Sequence, residues 1–239
     1  MNSGEFFSRS EALLGEAAMK RLADARVLVV GVGGVGSWCA EALMRTGVGH
    51  ITLVDDDVVA ESNMNRQCPA TVKTIGRPKV EAMAERLKEI NPACEVEARN
   101  SRFSSAASIS GFSLVVDAID SVDCKAELIL GATEAGVPLV SSMGAALRLD
   151  PTKVKVTRFE KVEGDGLARA LRQRFKKMGR SPKAKFSCVW STEQVHGNQT
   201  LKHSNTQTIS KGSIMPVTAT FGMCLASEAI RILTKGEMR

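Results

Sequence analysis

The stretch Arg26-Val27-Leu28-Val29-Val30-Gly31-Val32-Gly33-Gly34-Val35-Gly36 decides how this 239-residue chain folds. Its first five residues form a short apolar, β-branched run that stops at glycine, the pattern of a strand buried on both faces. The glycines that follow have the spacing G-x-G-x-x-G. Val35, Cys39, Ala42 and Leu43 then recur at helical spacing, so a helix is expected from Gly34 to Thr46, ended by Gly47. Outward from this unit the alternation continues. Strands are expected at 50–54, 94–98, 113–119 and 137–140. Helices are expected after Pro78, where Val80, Met83, Ala84, Leu87 and Ile90 make an apolar stripe, and from about Ser121 to Ala135. Strand–helix alternation of this kind implies an α/β architecture with a doubly wound, mainly parallel sheet and right-handed crossovers. Residues 153–159 alternate like an antiparallel strand. Residues 164–178 read as a basic helix with Leu167, Leu171 and Phe175 inward, and 217–233 as a last amphipathic helix. The polar stretch from Gln194 to Ser213 is expected to be a mobile loop.

Length and composition suit one large α/β domain with a core that needs no disulfide or metal. The expected organisation is a helical arm over 1–25, a nucleotide-binding core over 26–150 and a basic extension over 151–239. No run reaches the roughly 18 apolar residues of a membrane helix, and the first residues do not resemble a signal peptide, so a cytoplasmic location is expected. The six cysteines include no C-x-x-C pair, which argues against a zinc ribbon and a disulfide scaffold. The net charge of +6 is unevenly divided. Residues 1–150 carry 15 Lys and Arg against 20 Asp and Glu, whereas 151–239 carry 17 against 6. A basic end of this kind suits a polyanion, with nucleic acid favoured over an anionic membrane surface.

The glycine run lies between a strand and a helix. There the backbone can approach a phosphate whose charge sits at the helix N-terminus, which makes Gly31, Gly33, Gly34 and Gly36 candidate nucleotide-binding residues. Asp55, 19 residues after Gly36 at the end of the second strand, is placed to hold a ribose hydroxyl. The glycine motif alone does not separate NAD from ATP. The 22-residue connection from Asp55 to Gly76 does: it carries Asp57, Asn63 and Arg66, and Lys79 opens the next helix. A dehydrogenase has no need of these, whereas chemistry at a triphosphate draws on fixed cations. Asp120, at the end of the fourth strand, could bind the Mg²⁺ that accompanies ATP. Capping of the next helix by Asp120 or Ser121 is the competing reading.

Together the glycine run, Asp55, Asn63-x-x-Arg66-Gln67, Lys79 and Asp120 resemble the ubiquitin-activating-enzyme-like adenylating family. The resemblance implies a Rossmann-like ATP-binding fold extended by antiparallel strands and a C-terminal helix. It also implies that Asp55 holds the ATP ribose, that Asn63, Arg66 and Lys79 meet the phosphates, and that Asp120 binds Mg²⁺. It makes Arg9 an arginine that reaches into the partner subunit's site of a homodimer. Arg9, Arg66, Lys79 and Asp120 would then be the catalytic set. Carrier-protein members hold zinc through paired C-x-x-C motifs, so no zinc is expected here. The stretches 31–46, 188–193 and 216–222 are similar to a tRNA-modifying branch. That branch uses ATP to activate the carboxylate of threonylcarbamoyladenosine in tRNA and closes it into a ring. The alternatives are activation of a small sulfur-carrier protein, with a cysteine-desulfurase or sulfur-acceptor system as partner, and a nucleotide- or tRNA-binding module without turnover.

The charge split supports a tRNA surface independently of the resemblance. Arg169, Arg172, Arg174, Lys176, Lys177, Arg180, Lys183 and Lys185 fall in one segment nearly without acids. With no Tyr in the chain and few aromatics nearby, recognition is expected to lean on phosphates and shape. Cys188 can be read as an acyl-accepting thiolate or as a buried structural cysteine.

Overall fold

In the computed structural model, described over residues 3–104, 109–194, 200–202 and 209–234, one seven-stranded sheet runs through the chain. Its strands are β1 (Arg26–Val30), β2 (His50–Asp55), β3 (Glu95–Asn100), β4 (Leu114–Asp117), β5 (Leu139–Ser142), β6 (Val154–Arg158) and β7 (Ser187–Ser191). The spatial order is β3-β2-β1-β4-β5-β7-β6. Every neighbouring pair is parallel except β6 with β7. The antiparallel reading of 153–159 therefore holds. β7 was not expected: it is buried along its whole length, so it shows no alternation to read.

Alternate residues of β1 serve two cores. Val27 and Val29 pack among α3 (Glu16–Asp24), α4 (Gly36–Thr46), α5 (Lys79–Ile90) and α8 (Met215–Leu233). Leu28 and Val30 pack among α6 (Val122–Glu134) and α7 (Gly166–Met178). The period of two thus splits one continuous apolar run between two helical layers. α8 lies against α4 and aligns Val217, Phe221, Leu225 and Ala229 toward the core. α7 is seated by an aromatic group in which Phe159 stacks on Phe186 at 5.1 Å and meets Phe175 edge-on at 6.2 Å. Leu171 and Phe175 face inward as expected, but Ala168 rather than Leu167 completes the buried stripe.

Two short helices, α1 (Ser3–Phe6) and α2 (Ser8–Leu14), precede α3, and α2 buries none of its residues in this chain. The stretch expected to be a mobile loop is described only in part. Its segments β8 (Thr200–Lys202) and β9 (Ile209–Lys211) pair as an antiparallel hairpin, while 195–199 and 203–208 lie outside the described residues. No helix among the described residues is long and apolar enough to cross a membrane.

The β1–α4 turn depends on backbone touching backbone. Gly31 has φ +92°, and a Cβ there would lie 2.6 Å from the Ala118 carbonyl oxygen. A Cβ on Gly36 would lie 1.8 Å from the Gly31 oxygen. Both contacts are with main chain, which cannot swing aside. Gly36→Ala is therefore expected to destabilise the fold by roughly 2–5 kcal/mol. Urea unfolding measures this, and a loss below about 0.5 kcal/mol would show that the turn has room.

Candidate nucleotide site

The turn after β1, Asp55 as the last residue of β2, Ala118–Asp120 after β4 and Gly144 after β5 all lie at the carboxyl edge of parallel strands. Ligands of open α/β sheets bind at this edge. Asp55 is locked into the glycine turn: its Oδ2 accepts the Val32 N–H at 2.6 Å and its Oδ1 the Asp57 N–H at 3.0 Å. Burial raises its carboxyl pKa, opposed by Lys79 and the two backbone donors. Gly33 stands apart from the other glycines of the turn, because a Cβ there would meet nothing within 4 Å. The loop is open on that side.

The long connection after β2 is ordered throughout. Its neck is closed by Val59 N–H to the Arg77 carbonyl and Gly76 N–H to the Val59 carbonyl, both at 2.8 Å. A 3-10 turn over Glu61–Asn63 follows. There the Asn63 Oδ1 accepts the Ala60 N–H at 3.0 Å, and its carbonyl accepts the Arg66 and Gln67 N–H groups. Asn63 is buried and shapes the turn that presents Arg66. The Arg66 carbonyl is held by Trp38 Nε1 at 2.9 Å, and its Nη1 donates to the Ser62 carbonyl and to Asn65 Oδ1, each at 2.8 Å. The Arg66 stem rests on the glycine turn, 3.1 Å from where a Gly34 Cβ would stand. Lys79 is buried and donates to Asp57 Oδ2 at 2.6 Å. Asp57 is largely exposed, so the pair joins a buried cation to a carboxylate at the surface.

Asp120 is exposed and has no hydrogen bond or ion pair among the described residues. Helix α6 is capped at Ser121 without a side-chain bond, so capping does not account for either residue. The loop carrying Asp120 is held from below by groups that the sequence reading missed. Lys125 Nζ lies 2.9 Å from Asp117 Oδ2 and donates to the Ile119 carbonyl at 2.9 Å. Ser141 Oγ donates to Asp117 Oδ2 at 2.6 Å, and the Ile119 N–H to Asp117 Oδ1 at 3.1 Å. Both charged side chains are fully buried. Cys188, beside this cluster on β7, is fully buried, and burial pushes its thiol pKa up. The thiolate that an acyl relay needs is disfavoured there.

Arg9 is exposed on α2, and no contact among the described residues joins it to this edge. The eight cations of the basic segment divide into two sets. Arg172 donates to the Phe159 and Val162 carbonyls at 3.0 and 2.7 Å and lies over the Phe159 ring. Arg174 pairs with Asp123, and Arg180 with Glu127 and Glu134. Arg169, Lys176, Lys177, Lys183 and Lys185 are exposed, and their charged ends have no partner among the described residues.

A Rossmann-like sheet with a glycine turn, a strand-end Asp and cations on the following connection defines a nucleotide-binding protein. The chain belongs to the ThiF family, whose profile matches residues 7–239. It is 40% identical to the tRNA threonylcarbamoyladenosine dehydratase of Escherichia coli strain K12, over 94% of this chain and 92% of that protein. It is also 40% identical to the molybdopterin-synthase adenylyltransferase of Salmonella typhimurium strain LT2, but over 67% of this chain and 63% of that one. The crystal structure of E. coli tRNA N6-threonylcarbamoyladenosine dehydratase in complex with ATP superposes with a TM-score of 0.86. It shares 40% identity and covers 97% of this chain and 95% of the other.

The Asp117–Lys125 pair yields a stability prediction. Asp117→Asn or Lys125→Met strands one buried charge and is expected to destabilise by about 3–5 kcal/mol. Urea denaturation of both variants checks this, and near-wild-type midpoints would show that the pair is dispensable.

Proposed function

We propose that this protein is an ATP-dependent tRNA threonylcarbamoyladenosine dehydratase. One observation carries the proposal: the chain matches the E. coli dehydratase along nearly its full length while presenting Arg66, Lys79 and Asp120 at one edge with an open glycine turn. Asp55 takes the ATP ribose, and Gly31, Gly33, Gly34 and Gly36 let the phosphates approach the backbone. Lys79 and Arg66 meet the phosphates, Asn63 supports Arg66, and Asp57 keeps Lys79 oriented until the phosphates arrive. Asp120, exposed and unpaired among the described residues, fits an Mg²⁺ ligand. Bound there, Mg²⁺ supplies charge neutralisation at the phosphates.

The reaction has two steps. The substrate carboxylate attacks the α-phosphorus of ATP, an O–P bond forms, and the bond to the bridging oxygen breaks to release pyrophosphate. A ureido nitrogen or oxygen then attacks the acyl carbon, AMP leaves with the electron pair of the broken C–O bond, and a proton is lost. The substrate has lost one water, and no covalent enzyme intermediate is required. The ATP machinery lies within 26–150, the arm over 1–25 carries Arg9 toward a second copy, and 151–239 faces the tRNA. ATP and tRNA as substrates suit a cytoplasmic site of action.

With ATP, Mg²⁺ and threonylcarbamoylated tRNA the protein is expected to release AMP and to lower the nucleoside mass by one water. AMP release with a small sulfur-carrier protein, and none with tRNA, would instead establish the second reading, which the partial match to the adenylyltransferase favours. Arg66→Ala or Lys79→Ala should lower kcat by on the order of 100-fold with tRNA affinity nearly unchanged. Equal losses in rate and binding would remove both from the phosphates. Arg9→Ala and Asp120→Ala, each inactive alone, should regain activity after subunit exchange. Failure to recover would exclude a shared homodimer site. Lys176→Ala or Lys177→Ala should reduce the salt-dependence slope of tRNA binding by about one. Arg172→Ala should leave that slope unchanged, since its guanidinium is held internally.

A further inference from the structure

Arg148 is 4% exposed, yet its Nε and Nη1 find no hydrogen-bond acceptor. Its Nη2 lies 3.7 Å from Asp165 Oδ2, an ion pair too long to be a hydrogen bond. Asp165 is already satisfied without it. Its Oδ1 accepts the Ala168 N–H at 2.9 Å as the cap of α7, and its Oδ2 accepts the Gly144 N–H at 3.2 Å. Arg148 thus gives buried Asp165 a counter-charge without a hydrogen bond, and its own Nε and Nη1 stay short of acceptors, which is unfavourable for a buried guanidinium.

The position of Arg148 gives that deficit a meaning. It lies on the segment 144–150, which leaves the carboxyl end of β5 beside the proposed ATP edge. One bridge ties the segment to Arg66. Arg66 Nη1 donates to Asn65 Oδ1, Asn65 Nδ2 donates to the Ser213 carbonyl at 2.8 Å, and the adjacent Gly212 carbonyl accepts the Leu147 N–H at 2.8 Å. The far side is held by Glu193, whose carboxylate accepts the Leu149 and Asp150 N–H groups at 3.0–3.1 Å. Between these anchors Leu147 takes φ +63°, the one positive φ outside glycine among the described residues. The segment is thus clamped in a strained turn, with an incompletely bonded cation beneath it.

We propose that Arg148 is a substrate-recognition residue that binds the carboxylate of the modified nucleoside and presents it to ATP. The inference rests on the dehydratase reading above. An occupant of so enclosed a residue has to be a small anionic side group rather than a stretch of tRNA backbone. A phosphate on the tRNA exterior meets the exposed lysines of 176–185 first. The carboxylate oxygens supply the acceptors that Arg148 lacks, and charge-assisted bonds of this kind are the strong ones. Replacing Arg148 by an apolar side chain leaves Asp165 its two backbone donors but takes away the cation paired with this buried carboxylate, so the charge-keeping Arg148→Lys is the control for stability.

The test compares wild type, Arg148→Met and Arg148→Lys. Each is titrated with ATP, then with modified and unmodified tRNA in the presence of a non-hydrolysable ATP analogue. Arg148→Met should melt lower than wild type, since it leaves Asp165 without its cation, yet keep its ATP affinity, whereas Arg148→Lys should melt close to wild type. Its preference for modified over unmodified tRNA should fall on the order of 10- to 100-fold, and Arg148→Lys should restore part of it. An unchanged preference would overturn the proposal. So would a loss of ATP affinity, which would assign Arg148 to a phosphate, or an Arg148→Lys variant that regains the melting temperature and the whole of the preference together, which would make the residue only the counter-charge of Asp165. If wild type itself shows no preference for modified tRNA, it is the dehydratase reading that fails.

Discussion

The structure depends on two places where main chain lies against main chain. Gly36 meets the Gly31 carbonyl, and Gly31 meets Ala118 on the neighbouring crossover. No side chain fits at either contact. Together they bring the turn after β1 and the turn after β4 to one edge, the same edge at which β2 ends in Asp55. The Val32 N–H bond to Asp55 then fixes the second strand end to the first.

Within that frame the cations are held before any ligand arrives. Lys79 rests on Asp57, and Arg66 rests on two oxygens of its own loop while its stem lies along the glycine turn. These contacts keep both cations close to the strand-end edge, and each has to exchange them for phosphate oxygens if a nucleotide binds there. The buried Asp117–Lys125 pair serves the same end one layer down, since it bonds to the Ile119 backbone next to Asp120. Acidic residues of the first half thus hold Lys79 and Lys125, while Arg66 is held by neutral oxygens of its own loop. The basic second half leaves its unpaired lysines on the surface, where a polyanion can meet them.

The parts legible in the sequence were those with a local pattern. The β1–glycine–α4 unit, the stripe of α5 and the antiparallel character of β6 all follow from spacing within a dozen residues. The parts that were not legible depend on distant partners. β7 is buried on both faces and shows no period. Asp117 and Lys125 are eight residues apart and meet only because α6 folds back under the turn. Asn63 carries a phosphate-loop spacing but spends its side-chain oxygen on its own turn. In the basic segment, charge spacing could not show that Arg172, Arg174 and Arg180 have internal partners. Nor did composition show that the polar stretch after 194 contains a paired hairpin.

A crystal structure with a non-hydrolysable ATP analogue and Mg²⁺ tests the central claim most directly. The ribose is expected within hydrogen-bond reach of Asp55, the phosphates over Gly33, and Lys79 and Arg66 turned from Asp57 and Ser62 onto phosphate oxygens. A nucleotide bound elsewhere, or phosphates that leave Lys79 on Asp57 and Arg66 on its own loop, would contradict it.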